Sequence, residues 1–95
     1  MEGADEEQLA WDALSVDGAT VLPERVYARV EGFKLRVYDG AVRIDGKWYG
    51  IETKARTATR NPDQTKFDNW LRMPGNSVET PDGILLEGVF DVWVP

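Results

Sequence analysis

The sequence predicts an α/β (α+β) domain, on three observations. A hairpin pattern runs from Leu35 to Ala55 around Asp45-Gly46, a capped helix opens at Asn61-Pro62, and a β-branched, aromatic run extends from Ile84 to Val94. Ninety-five residues, 42% of them apolar and four of them tryptophan, are enough for one core, so a single domain over residues 1–95 is expected.

Taken in order, Asp5 to Leu14 place Leu9, Ala10, Ala13 and Leu14 on one helical stripe with acids in the first turn, where the helix dipole favours them. A short helix is expected there, ending before Asp17-Gly18. Between Ala19 and Val30 the pattern is mixed: Val26, Ala28 and Val30 alternate as in a strand, Pro23 interrupts, and a helix over residues 23–30 is the alternative. In the hairpin, Tyr38, Val42, Ile44, Tyr49 and Ile51 are expected on one side. Asp-Gly between two such runs predicts a two-residue type I′ turn, which pairs Ile44 with Lys47, Val42 with Tyr49 and Asp39 with Glu52. After a polar, basic stretch at Thr57 to Arg60, the next helix takes Asn61 as N-cap, Pro62 at N1 and Gln64 at N3. Phe67, Trp70 and Leu71 give it an apolar face, and Pro74-Gly75 ends it near Met73. A loop through Pro81-Asp82-Gly83 leads into the last strand.

The composition restricts the chemistry. There is no cysteine, hence no disulfide or thiolate metal site, and no histidine, hence neither the usual general base nor the usual zinc ligand. Carboxylates, lysine, hydroxyls and a hard cation such as Mg²⁺ are what remain. No run of about 18 apolar residues is present, and the acidic start lacks the features of a signal peptide, so a soluble domain without membrane association is expected. The net charge of −6 is unevenly spread: eight acids and two bases in residues 1–31, five acids and nine bases in 32–75, four acids and no base in 76–95. The middle third is the candidate polyanion face.

With the hairpin register given above, Asp39 and Glu52 share one sheet face with Cβ atoms about 5 Å apart. At an effective dielectric of 20 their repulsion is about 3 kcal/mol, which a divalent cation between them would reverse. Strand parity puts Lys54 on that face, suited to stabilise a phosphate oxyanion, with the apolar residues on the opposite face. The simpler alternative is a solvated face on which Lys54, Arg43 and Arg56 neutralise the acids. Gln64 either approaches a ligand or caps its own helix. Arg56, Thr57, Thr59, Arg60 and Lys66 around the helix start are candidate phosphate contacts. Of Trp11, Trp48, Trp70 and Trp93, any of which can stack on a base, Trp70 and Trp93 are expected in the core.

Tyr38-Asp39-Gly40, Gly50-Ile51-Glu52-Thr53-Lys54-Ala55, and Gln64 opening a helix with Phe67-Asp68 and Trp70-Leu71 resemble the PD-(D/E)xK restriction-endonuclease-like nucleases over residues 36–72. The likeness is to the short C-terminal nuclease domains of bacterial polymorphic toxins, delivered by contact-dependent, Rhs-type or type VI machinery. It implies an αβββαβ fold with a central mixed sheet flanked by helices. Asp39 and Glu52, helped by the Thr53 carbonyl, would hold Mg²⁺ or Mn²⁺, with Lys54 assisting hydrolysis and Gln64 approaching the nucleic acid. Glu7 matches the acid such proteins often add from the first helix, with Glu6 as the alternative. Tyr38 stands where the named pattern has proline, and Asp45, a rival first acid, belongs to the turn.

The expected function is therefore a metal-dependent endonuclease, a delivered antibacterial toxin acting on DNA in the target-cell cytoplasm, with a cognate immunity protein as partner. Alternatives are a tRNA- or RNA-cleaving toxin, a phage or repair nuclease, and a non-catalytic protein-binding module on the same fold.

Overall fold

A computed structural model describes residues 19–55 and 61–94 of the chain. These form strands β1 (Thr20–Leu22), β2 (Val26–Ala28), β3 (Arg36–Tyr38), β4 (Gly40–Ile44) and β5 (Lys47–Ala55), helix α1 (Pro62–Arg72), and strands β6 (Val78–Glu79) and β7 (Leu85–Val94). The helix expected over residues 5–14 lies outside the described residues.

Asp45 and Gly46 take φ of 52° and 81°, the pair of positive values that a type I′ turn needs. The turn sets the register, and Ile44 pairs with Lys47, Val42 with Tyr49 and Gly40 with Ile51, as the sequence predicts. The ladder then breaks. Asp39 N–H donates to the Ile51 carbonyl at 2.9 Å although Gly40 is the partner of Ile51, so two residues face one across a bulge. The extra residue reverses the alternation of everything before it. Tyr38 is therefore not on the side of Val42, Tyr49 and Ile51, as expected, but lies against Gly50 on the opposite face. Likewise Asp39 is not the ladder partner of Glu52, because the regular pairing stops one residue short of it.

Beyond the bulge, β3 leaves the hairpin and pairs with β2, Val26 with Tyr38 and Ala28 with Arg36, in a separate two-stranded sheet. Residues 19–30 form no helix: β1 joins the edge of β4 and β2 alternates buried Val26, exposed Tyr27 and buried Ala28. Pro23, without an N–H to donate, lies between these strands.

Helix α1 follows its sequence signals. The Asn61 side chain accepts from Asp63 and Gln64 N–H, Pro62 stands at N1, and the C-cap is Met73. The helix makes the crossover between β5 and β7, which run parallel. The main sheet has the order β1-β4-β5-β7-β6 and is mixed. Strand β6, paired with the start of β7 across the Pro81-Asp82-Gly83 turn, was not expected; its two residues are too few to give a periodic signal.

The helix-facing core contains Val26, Ala28, Tyr38, Ala41, Phe67, Leu71, Val78 and Leu86, with Trp48, Trp70 and Val89 packed on it. Trp70 is half-buried beside Phe33 and Phe67, in keeping with its expected core role. Trp93 corrects the other expectation: it is 52% exposed. It pairs with Lys54, beyond the Trp48–Leu86 and Gly50–Val89 pairs on which the core rests.

A Cβ at Gly50 would stand 2.7 Å from ring carbons of the fully buried Tyr38. Gly50→Ala is expected to destabilise the chain by about 1–3 kcal/mol, seen as a lower urea midpoint with an unchanged slope.

Candidate active site

Strand parity arranges the helix-facing row of β5 as Trp48, Gly50, Glu52 and Lys54, so the same row that begins in the core ends in charged groups. The expectation that Glu52 and Lys54 stand opposite the apolar face is thereby amended. Apolar residues occupy both faces, with Val42, Tyr49, Ile51 and Phe90 on the far side.

A buried arginine holds the polar end together. Arg36, 1% exposed, donates from Nε and Nη2 to the two oxygens of Asp68, each at 3.0 Å, and from Nη2 to Glu52 Oε2 at 3.1 Å. Its Nη1 donates to the Val37 carbonyl at 2.9 Å, and its guanidinium lies 4.3 Å from the Tyr38 ring centroid. Tyr38 OH completes the group by donating to Asp68 Oδ1 at 2.6 Å. Burial pulls the Arg36 pKa down, but the bond and charge of Asp68, aided by Tyr38 and Glu52, more than reverse this, and the guanidinium stays charged. Burial and the bond to Asp68 push the Tyr38 hydroxyl far above its ordinary value, so it remains a donor.

Glu52 is the outward member of this group. Its Oε2 faces Arg36, and its Oε1 lies 4.0 Å from Lys54 Nζ. Burial raises its pKa and Asp39 raises it further, against the opposing pull of Arg36 and Lys54; the net shift is upward. Two cations beside it do not fully offset desolvation and the second carboxylate. Asp39 is held from the other side, its Oδ2 accepting from Thr53 N–H at 2.9 Å. The side-chain bond thus spans the point where the bulge interrupts the ladder.

Of the residues singled out in the sequence, Asp39, Glu52, Thr53 and Lys54 come together here. Gln64 lines a narrow cleft with Lys54, Thr65, Asp68, Arg72 and Asp91. Among the described residues its side chain makes no reciprocal bond to the Asn61 amide, so the cap does not occupy it. Lys66 lies elsewhere, its ammonium 5.4 Å from the Phe33 ring centroid. Glu6, Glu7, Arg56, Thr57, Thr59 and Arg60 are outside the described residues.

Three participants were missed in the sequence. Asp68 had a readable signal, an acid between Phe67 and Leu71 on the buried stripe of the helix. Arg36 stands at an inward position of a short strand. Asp91 is the ladder neighbour of Glu52 through the parallel pairing, which no local pattern reveals. Its Oδ2 accepts from Arg72 Nη2 at 2.9 Å, while Oδ1 is buried without a hydrogen-bond partner among the described residues.

Among the described residues no three His, Cys, Asp or Glu side chains form a metal cage. A hard cation at this end would fall to Asp39 and Glu52, with its other positions left to waters and substrate phosphate, the usual manner of Mg²⁺ binding. The mutual repulsion of the two carboxylates is the feature such a cation would relieve. A groove of about 520 Å³, lined by Tyr27, Arg29, Leu35, Glu79, Thr80 and Pro81, contains none of these groups. The Lys54 cleft holds only about 20 Å³, so a sizeable ligand would lie across this surface and not sink into it. The chain matches no family model, no curated protein and no solved structure.

Asp68→Ala would leave Arg36 buried with its main counter-charge gone and should destabilise the chain by about 3–5 kcal/mol in chemical unfolding. For Glu52 the sign is opposite. A carboxyl with a raised folded-state pKa contributes stability that is full below the unfolded value, about 4.3, and is lost as pH rises through the folded value. Glu52→Gln keeps an acceptor for Arg36 without that pH dependence. Measured by urea unfolding in EDTA, wild type should gain on the variant as pH falls from 7 to below 4.

Proposed function

We propose that the chain is a metal-dependent endonuclease hydrolysing phosphodiester bonds. The observation that carries the reading is the convergence at one end of β5 of two carboxylates and a lysine: Glu52, held by Arg36 and 4.0 Å from Lys54, and Asp39, held by Thr53 N–H. Asp39 and Glu52, with the Thr53 carbonyl, would hold Mg²⁺ or Mn²⁺, which supplies a polarised phosphate and a more acidic water.

The roles of the chain's own groups follow from their positions. Arg36 fixes one oxygen of Glu52 and leaves the other toward Lys54. Thr53 N–H fixes one oxygen of Asp39. The Lys54 ammonium stabilises charge developing on the phosphoryl oxygens, and Gln64 in the same cleft offers an amide to the nucleic acid backbone. The parallel β5–β7 pair with α1 as crossover is compatible with a restriction-endonuclease-like core. The toxin setting, DNA as target in preference to RNA, the immunity partner and delivery into another cell rest on the likeness of residues 36–72 alone.

A second reading has its own observation. Glu52 Oε2 is bonded to Arg36 and no three-acid cage is present among the described residues, as in a protein-binding module where Glu52 is only the edge of a structural network.

Purified chain incubated with plasmid DNA and with total tRNA should cleave one of them in Mg²⁺ or Mn²⁺ and neither in EDTA. Asp39→Ala, Glu52→Gln and Lys54→Ala should each abolish cleavage while circular dichroism shows the fold retained. No cleavage, together with no metal binding by calorimetry, would favour the module.

A further inference from the structure

Trp93 is a large apolar side chain half-exposed on the face of the proposed site. Its strand, β7, runs parallel to β5 in a register that sets Glu52 beside Asp91 and Lys54 beside Trp93. Paired residues of adjacent strands project to the same side, and the Arg72–Asp91 bond ties that side of β7 to the helix. Trp93 thus neighbours Lys54 across one strand spacing, about 4.8 Å between backbones.

Among the described residues, nothing in the core requires it there. The core rests on Leu86 and Val89 earlier in β7, and the aromatic cluster of Phe33, Tyr38, Phe67 and Trp70 does not include Trp93. Exposure of an indole is unfavourable by the area it leaves in water. The adjoining cleft, at about 20 Å³, is too small for a nucleobase, so a base has no pocket among Lys54, Gln64 and Asp91. The flat aromatic surface of Trp93 is offered on the strand next to Lys54.

We infer that Trp93 is a substrate-binding residue on whose indole an unpaired nucleobase stacks, placing that nucleotide's phosphodiester at Lys54. This rests on the nuclease reading and deepens it by naming the substrate as a strand with an unpaired base at the cut. A base in an intact duplex presents only its edge, whereas stacking on an aromatic side chain needs a free face. The neighbouring ammonium supplies the charge complement for the phosphate of the same nucleotide. A partner protein would also cover an indole, but the juxtaposition with Lys54 favours a ligand that is aromatic and anionic at once.

The test uses the full chain in Ca²⁺, with a fluorescently labelled ten-nucleotide single strand, the same strand in a duplex, and an abasic strand of equal length, read by anisotropy. Wild type should bind the single strand more tightly than the duplex. Trp93→Ala should weaken single-strand binding about 5- to 150-fold, the range for loss of one stacked base, and Trp93→Phe should restore most of it. On the abasic strand the wild type and Trp93→Ala should bind alike. Equal affinity of wild type and Trp93→Ala for the single strand, or a loss that persists on the abasic strand, would overturn the assignment. So would a change confined to self-association in sedimentation, which would give the indole to a protein interface. Metal-dependent cleavage separates the two levels: if it persists while Trp93→Ala binds normally, only the stacking role falls, and if wild type neither binds nor cuts, the nuclease reading falls with it.

Discussion

Arg36 is the constraint around which the polar half of the molecule is organised. A guanidinium at 1% exposure is tolerable only if its donors are met, and here one carboxylate from the helix, one from β5 and a carbonyl of its own strand meet them. Meeting them fixes the distance of α1 from the sheet, the rotamer of Glu52 and, through Asp68, the hydroxyl of Tyr38. The small sheet of β2 and β3 is joined to the main sheet through this group as well as through packing. Buried ionic groups seldom add stability relative to apolar replacements, so their retention here is better understood as geometric control.

A single row of side chains on β5 passes from core to chemistry. Trp48 packs inward, Gly50 gives way to the Tyr38 ring, Glu52 meets the arginine and Lys54 meets the cleft. The apolar end anchors the strand, so the charged end is presented from a rigid support and not from a loop. The bulge at Asp39 belongs to the same arrangement. By reversing the alternation it sends Tyr38 to the helix side, and by interrupting the ladder it frees Thr53 N–H for a carboxylate. One inserted residue thus both fills the core and positions an acid.

Much of this was legible locally. The Asp45-Gly46 turn fixed the pairing of β4 with β5, and Asn61-Pro62 and Pro74-Gly75 bounded the helix, because both signals depend on the conformations of two or three adjacent residues. The expected pairing of Asp39 with Glu52 did not hold, because the bulge ends the regular register at Gly40 and Ile51, and Asp39 joins the group through Thr53 N–H instead. What escaped were features decided by distant contacts. The bulge displaced Tyr38, the pairing of β3 with β2 buried Arg36, and the parallel alignment of β7 brought Asp91 and Trp93 beside Glu52 and Lys54. Trp93 was expected in the core because tryptophans are more often core than exposed, yet how far along a strand its covering helix extends is not written in the strand.

The parallel pairing of β5 with β7 also has a temporal side. Hairpins close quickly because their partners are adjacent in the chain, whereas Glu52 and Asp91 meet only after the intervening helix and β6 have been laid down. Loop-closure entropy is larger for this alignment than for the hairpin, so the pairing of β4 with β5 carries the lower entropic cost of the two. A nascent chain emerging from the ribosome would carry Glu52 and Lys54 well before Trp93 joins them. The juxtaposition of Lys54 with Trp93 thus depends on the complete fold and not on the hairpin alone.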